Sequence, residues 1–198
     1  MEKPETGESG QGGQKKVIRI AWGITGAGDR IRETIDIMKT VREKYPIEIR
    51  VFASKAGEQV LKWYKVYDEV KNSFDRFAVE VNANSPFLAG EVQIGKYAML
   101  IIAPATSNTV AKIASGIADT LLSNAALMAL KAFVPVYIMP SDYEEGEVIT
   151  ELPDGKKLRL RIRREDVEHV EKLRAVDGIH ILEKPEDIEE AVKRTVQN

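Results

Sequence analysis

Residues 102–122 read "IAPATSNTVAKIASGIADTLL", and this stretch decides the fold. The apolar run Met99 to Ala103 predicts a buried strand, and the residues after the junction predict an amphipathic helix. Small and polar residues fill the junction itself: Pro104, Ala105, Thr106, Ser107 and Asn108. In open α/β sheets, ligands bind at the carboxyl ends of strands. We therefore expect this junction to lie at a binding site.

Three further apolar runs predict strands, and they cover Val17 to Trp22, Ile47 to Ala53 and Val134 to Met139. Apolar residues at helical spacing separate them, as between Ile31 and Val41. Strands that alternate with helices indicate a parallel, doubly wound sheet. Near-continuous apolar strands are typical of a sheet that helices cover on both faces. The sequence therefore predicts an α/β fold in three layers.

The pattern changes after Pro140. Apolar and polar residues alternate on both sides of Pro153-Asp154-Gly155, which predicts a β-hairpin. A helix, a short strand at Ile179 to Leu182 and a last helix from Pro185 are expected to follow. Residues 67–89 show no clear period and are predicted to be mostly irregular.

The two ends of the chain differ in composition. Residues 1–16 are polar and Gly-rich, which predicts a disordered tail, and residues 17–198 are predicted to form a single domain.

Composition excludes several classes of function. The chain has 198 residues and a net charge of −2, which gives no electrostatic basis for binding nucleic acid or an anionic membrane. It has no cysteine, so it can form no disulfide, thiolate nucleophile or iron–sulfur cluster of its own. Its two histidines are too few for a histidine-rich metal site, and no metal is expected. No apolar run approaches the about 20 residues of a membrane helix, and no signal peptide is recognised, so we expect a cytoplasmic protein.

Three predicted strand ends carry similar chemistry: Gly23 to Gly28, Ser54 to Gly57 and Pro104 to Asn108. Glycine lets the backbone approach a phosphate, and free N–H groups at a helix start favour an anion. Together these loops resemble a mononucleotide site, although such turns and caps also occur in α/β proteins without a ligand. The chain lacks the GxGxxG fingerprint and the P-loop Lys-Ser/Thr, so neither a dinucleotide enzyme nor an NTPase is supported.

The segment "APATSNTVAKIASGIADTLLSNAAL" at 103–127 resembles the signature of the homo-oligomeric flavin-containing cysteine decarboxylase superfamily. The turn "GITGAG" at 23–28 is also similar to that superfamily. Residues 102–142 and 149–174 resemble the archaeoflavoproteins more closely, which are FMN proteins related to the flavoprotein type of dihydromethanopterin reductase. The resemblance implies a flavodoxin-like (Rossmann-like) fold, an FMN cofactor and a homo-oligomer with FMN near a subunit contact.

The resemblance also implies which residues bind the cofactor. The first loop and the start of the second helix would bind the phosphate through Thr25, Gly26, Ala27, Gly28, Ser54 and Lys55. The junction would follow the ring or ribityl chain through Pro104, Ala105, Thr106, Ser107 and Asn108. The pocket would be completed by Ser123, Asn124 and Ala125.

One departure from the superfamily bears on the chemistry. The decarboxylases carry an essential histidine on the segment before the motif, whereas residues 82–100 of this chain contain none. No side chain is a strong catalytic candidate, so the resemblance favours electron transfer over decarboxylation. It implies reduced ferredoxin as the electron donor and a small molecule or protein, such as a pterin, as the acceptor. A flavin-dependent decarboxylase of a cysteinyl substrate and a nucleotide-binding module without catalysis remain the alternatives.

Other conspicuous residues have structural interpretations. Asp29 or Thr25 is expected to cap the first helix, and Asp119 the helix that follows "GIAD". His169 is expected on the polar surface of its helix. Arginines 159–164 alternate with apolar residues, which predicts a solvated strand face. Aromatic residues cluster near the second helix, and packing in the core is expected for them, with the shielding of a flavin ring across a subunit interface as the alternative: Trp63, Tyr64 and Tyr67.

Overall fold

The computed structural model describes residues 17–152 and 154–197. The predicted tail at 1–16 and Pro153 of the predicted turn lie outside the described residues.

A parallel sheet of six strands forms the centre of the fold, in the order β3-β2-β1-β4-β5-β8. Its strands are β1 (Ile18–Ile24), β2 (Ile47–Ala53), β3 (Arg76–Val79), β4 (Met99–Ala105), β5 (Val136–Pro140) and β8 (Ile179–Ile181). A separate antiparallel hairpin consists of β6 (Gly146–Glu151) and β7 (Lys157–Ile162). These observations confirm the predicted parallel sheet and hairpin.

The helices connect the strands. They are α1 (Ile31–Lys44), α2 (Lys55–Trp63), α3 (Tyr67–Ser73), α4 (Leu88–Gln93), α5 (Ser107–Ala114), α6 (Leu121–Lys131), α7 (Arg164–Arg174) and α8 (Asp187–Gln197). Among the described residues, no helix is both long and apolar enough to cross a bilayer.

Two apolar cores lie on opposite faces of the sheet, because side chains along each strand alternate in direction. In β4, Ile101 packs with α1, α2, α3 and α8, whereas Leu100 and Ile102 pack with α4, α5, α6 and α7. In β1, Trp22 faces the first core and Ala21 the second. This arrangement confirms the predicted three-layer α/β fold.

Two local predictions were wrong. Residues 67–89 contain α3, β3 and the start of α4 rather than mostly irregular chain. β4 continues through Pro104 to Ala105, both of which are buried, instead of ending at Ala103. A register irregularity between Ile102 and Ala105 lets the strand pass the proline, which has no N–H to donate to a neighbour.

Candidate functional site

The loops after β1 and β4 meet at the centre of the sheet edge. β1 connects to β2 on one side, while β4 begins the strands on the other side, so the strand order reverses between β1 and β4. The Thr25 hydroxyl donates to the Pro104 carbonyl at 2.8 Å and accepts from the Thr106 N–H at 2.9 Å. Thr25 is buried. In this arrangement its only proton is already donated, so its predicted contact with a phosphate stays a prediction.

The loop after β1 also packs closely on α2. A side chain at Gly57 would place its Cβ 2.4 Å from the Ile24 carbonyl oxygen, and one at Gly28 would meet the Tyr64 ring at 2.5 Å. Gly57 therefore permits the close approach of two backbone segments, whereas a side chain at Gly28 would meet only the end of the Tyr64 side chain. This packing fixes the first two predicted binding loops next to each other.

A cleft of about 370 Å³, here called the central cleft, opens above these loops. Six of the predicted site residues line it: Gly26, Ala27, Gly28, Thr106, Ser107 and Asn108. Trp63 and Tyr64 of the α2 end line its side, and Ser141 and Asp142 after β5 line the far end. The structure thus brings together part of the first predicted loop and part of the third. The lining does not include Thr25, Pro104 and Ala105 of those loops, nor Ser54 and Lys55 of the second loop.

The hairpin covers the central cleft with an apolar face. Val148 lies opposite Leu160 and Thr150 opposite Leu158, and all four side chains line the cleft. Leu158 is 40% exposed and Leu160 is 44% exposed, so this apolar surface is only partly covered by the chain itself. The alternate residues Glu147 and Arg159 form an ion pair, as predicted for a solvated face.

Helix starts at the same edge offer donors to an anion. Ser54 caps α2 by accepting the Gly57 N–H at 2.9 Å, and Thr106 caps α5 by accepting the Thr109 N–H at 3.2 Å. After capping, the Ser54 hydroxyl can still donate its own proton. The Lys55 side chain is exposed, so it can reach an anion held there.

Glu80 joins this edge to α6. Its carboxylate accepts the Lys55 N–H at 3.3 Å and the Leu121 N–H at 2.9 Å. The carboxylate therefore compensates the positive ends of two helices beside the predicted phosphate site.

The third predicted group does not line the central cleft. Ser123 is buried in a capping box with Thr120, and Ala125 is buried in the core. The Asn124 amide donates to the Ala83 carbonyl at 3.0 Å and to the Asn84 side chain at 3.1 Å. Within one chain these residues stabilise the start of α6, and their role at a cofactor stays a prediction.

The central cleft is also lined by two carboxylates, Asp29 and Asp142, which the sequence analysis did not assign to the site. Burial is the main cause that raises the pKa of Asp29 above its ordinary value of 3.8, and the charges of Glu33 and Asp142 act in the same direction. Arg30, with Nε 3.4 Å from the Asp29 carboxylate, opposes this shift. Asp142 accepts hydrogen bonds from the Ser107 and Ser141 hydroxyls. Asp29 is thus a titratable group in the cleft, and its place directly after the glycine-rich turn is the signal that could have identified it.

Two predicted helix caps were wrong. The residue that caps α1 is Arg30 in the left-handed conformation, with no side-chain cap, rather than Asp29 or Thr25. Thr120 caps α6, while Asp119 is exposed and forms an ion pair with Lys112 at 2.9 Å.

Two predictions of exposure were also wrong. His169 is half-buried, and its Nδ1 is buried without a hydrogen-bond partner among the described residues. Trp63 is 54% exposed rather than packed in the core.

Comparison with known proteins relates this chain to flavin proteins. Residues 8–197 match the family described as "Flavoprotein". An uncharacterized protein of Methanocaldococcus jannaschii is 50% identical over 91% of this chain and 97% of its own length. A dihydromethanopterin reductase (acceptor) of the same organism is 39% identical over 74% of this chain, but the match spans only 63% of that reductase, less than two thirds of its length.

Solved structures show the same fold. DmrB of Burkholderia xenovorans in complex with FMN, described as a cubic protein cage for redox transfer, has a TM-score of 0.76. It is 30% identical and covers 92% of this chain and 97% of its own. A dodecameric FMN-dependent UbiX-like decarboxylase of Escherichia coli O157:H7 has a TM-score of 0.65 at 18% identity, covering 91% of this chain and 93% of its own, which shows likeness of fold alone.

Proposed function

The chain belongs to the Flavoprotein family, and on that basis we propose that it binds FMN in the central cleft and transfers electrons through it. The observation that carries this proposal is its similarity, along nearly the whole length of both chains, to a redox protein solved with FMN. The cleft volume of about 370 Å³ lies within the range of about 300–1,000 Å³ typical of small-molecule sites.

The residues in and beside the central cleft fit the parts of FMN. The phosphate would lie beside the cleft, at the start of α2, where the Ser54 hydroxyl and the exposed Lys55 can donate to it. The apolar ring would lie under Leu158 and Leu160, which remove its faces from water. Asn108 offers two donors and an acceptor to the polar edge of the ring.

FMN when bound supplies the exchange of one or two electrons, and the protein supplies orientation and local charge. The start of α5 places backbone N–H groups near Ser107 and Asn108, which favours negative charge in the cleft. Asp142 opposes this effect, and Asp29 can hold or release a proton beside the ring site. The balance between these charges would set the reduction potential of the bound FMN.

Reduced ferredoxin is the electron donor that we propose, and a small molecule or protein is the acceptor. A pterin is the favoured acceptor class, because relatives 39% identical to this chain are named dihydromethanopterin reductase (acceptor). We also propose that the chain forms a homo-oligomer, which is supported by a relative that forms a cubic cage.

The test is the absorbance spectrum of the purified protein. We expect flavin bands that bleach when reduced ferredoxin is added in the absence of oxygen, and that return when an acceptor is added. A protein that neither retains FMN nor binds it on reconstitution would refute the proposal. FMN that is bound but not bleached by ferredoxin would refute only the choice of donor.

Decarboxylation of a cysteinyl substrate is the second candidate. Asp29 favours this function, because a carboxyl group with a raised pKa can transfer a proton. It could therefore replace the histidine that residues 82–100 do not contain. Release of carbon dioxide from a peptide with a C-terminal cysteine would support this function. No release from the FMN-loaded protein would leave electron transfer as the function.

A further inference from the structure

A second cleft, here called the outer cleft, lies beside the central cleft and has a volume of about 640 Å³. Six residues line both clefts: Gly28, Asp29, Trp63, Tyr64, Thr150 and Leu152. Alternation along β6 places Val148 in the central cleft and Ile149 in the outer cleft. A molecule in the outer cleft would therefore be separated from the central cleft by a wall only one side chain thick.

Trp63 gives the outer cleft an open aromatic wall. It is 54% exposed, and its ring packs against Tyr64 in an edge-to-face arrangement, with ring centres 5.9 Å apart at an angle of 73°. An exposed indole face is a favourable surface for stacking a planar ring. The outer cleft therefore suits a ligand that has a flat aromatic part.

The charge of the outer cleft favours a negative group. Its lining contains the three cations Arg30, Arg32 and Lys65 and the two carboxylates Asp29 and Glu33, which leaves a net charge of one positive unit. Arg30 is paired with Asp29. Lys65 forms no ion pair with any side chain that the structure describes, so its ammonium group is available to a ligand.

Left-handed backbone places two cationic residues on the same lining. Among the described residues, only three non-glycine residues have positive φ, and two of them, Arg30 at 53° and Lys65 at 59°, line the outer cleft. At Lys65 this conformation ends α2, with the Val66 N–H donating to the Leu61 carbonyl at 2.9 Å, as is common at helix ends. The start of α1 and the end of α2 thus each contribute a cation to one cleft.

We propose that the outer cleft binds a planar heteroaromatic molecule with an anionic group, and that this molecule is the electron acceptor: it takes up two electrons and two protons at one of its double bonds, while reduced FMN in the central cleft gives up two electrons and two protons and is oxidised. Its ring stacks on Trp63, and its anionic group lies near Lys65 and Arg32. This inference rests on the proposed function, since it names the second substrate of the same redox site.

Calorimetric titration of the FMN-loaded protein with two pterins tests the proposal. Dihydrofolate carries the pterin ring and two carboxylates, whereas dihydrobiopterin carries the same ring without them. We expect Trp63→Ala to weaken both about tenfold through lost stacking. We expect Lys65→Gln to weaken dihydrofolate about threefold and to leave dihydrobiopterin unchanged.

The control variant is Phe133→Ala, which removes a 96% exposed aromatic residue outside both clefts and should change neither affinity. Trp63→Phe keeps a ring for stacking and should bind both pterins within about twofold of the wild type. It keeps the test valid if Trp63→Ala does not fold.

Absorbance of FMN in the same samples separates the two proposals. Pterin binding that depends on Trp63 in a protein without FMN would support the outer cleft and refute the proposed function. FMN binding together with pterin binding that is unaffected by Trp63→Ala, or no pterin binding at all, would overturn the outer-cleft site. Equal weakening of both pterins by Lys65→Gln would overturn the anionic part of the ligand.

Discussion

Replacement of Thr25 by valine should destabilise the protein, because the hydroxyl joins β1 to β4 at the point where the strand order reverses. Valine keeps the shape but removes two hydrogen bonds, of 2.8 Å to the Pro104 carbonyl and 2.9 Å from the Thr106 N–H. The carbonyl retains the Thr25 N–H at 3.4 Å, whereas the Thr106 N–H loses its partner. A buried polar group left unpaired costs about 1–3 kcal/mol, so we expect the free energy of unfolding to fall by about 2 kcal/mol.

The measurement is urea unfolding of wild type, Thr25→Val and Thr25→Ser at one fixed protein concentration, since association shifts apparent stability. For a chain of this size, a loss of about 2 kcal/mol lowers Tm by about 4–8 °C. Thr25→Ser keeps the hydroxyl and loses one methyl group, which costs about 1 kcal/mol. If the valine variant is at least as stable as the serine variant, the two hydrogen bonds do not join the strands as described.

Three further substitutions test the cleft. Ser54→Asp should weaken FMN binding at least about tenfold, because it places a carboxylate against the phosphate. The control Ser54→Ala removes only a helix cap that contributes about 1 kcal/mol. Equal FMN affinity in the aspartate variant and the wild type would show that Ser54 does not bind the phosphate. Asn108→Leu should weaken FMN about fivefold to tenfold or shift its reduction potential, and a wild-type titration and potential would contradict this role. Asp29→Asn should change the pH dependence of stability. Because folding raises the pKa of Asp29, the stability of the wild type falls as the pH rises from 3.8 through the raised pKa. The variant should lack this fall when urea midpoints are measured across that pH range. Identical profiles for the two proteins would show that folding does not raise the pKa of Asp29.

The sequence predicted those features that depend on neighbouring residues. Apolar runs such as Met99 to Ala103 predicted central strands, since burial on both faces leaves a continuous pattern. Thr106 or Ser107 was expected to cap the helix after the junction, and Thr106 is the cap of α5, because a cap and its N–H partner lie three residues apart. The cap of α2 by Ser54 was not predicted, since the second helix was expected to start only at Glu58. The hairpin was predicted from its alternation on both sides of the turn residues Pro153-Asp154-Gly155.

Features that depend on tertiary packing were missed. Arg30 begins α1 in a left-handed conformation that no local pattern indicates, and its side chain reaches Tyr143 and the Glu183 carbonyl far along the chain. Asp29 acquires its raised pKa from burial, which the sequence does not record. Trp63 belongs to two clefts only because the hairpin, about 90 residues later in the chain, lies across it.

The hairpin should be ordered to different degrees in the cofactor-free protein and in the protein with FMN bound. Within residues 17–152 and 154–197, β6 and β7 pair only with each other, and two strands alone are at best marginally stable in water. The stability of the hairpin must then depend largely on contacts that Leu158 and Leu160 make with the molecule in the central cleft. Limited digestion should therefore cut the cofactor-free chain between β6 and β7 and spare the loaded one, so that cleavage at this single place would report occupancy of the cleft beneath.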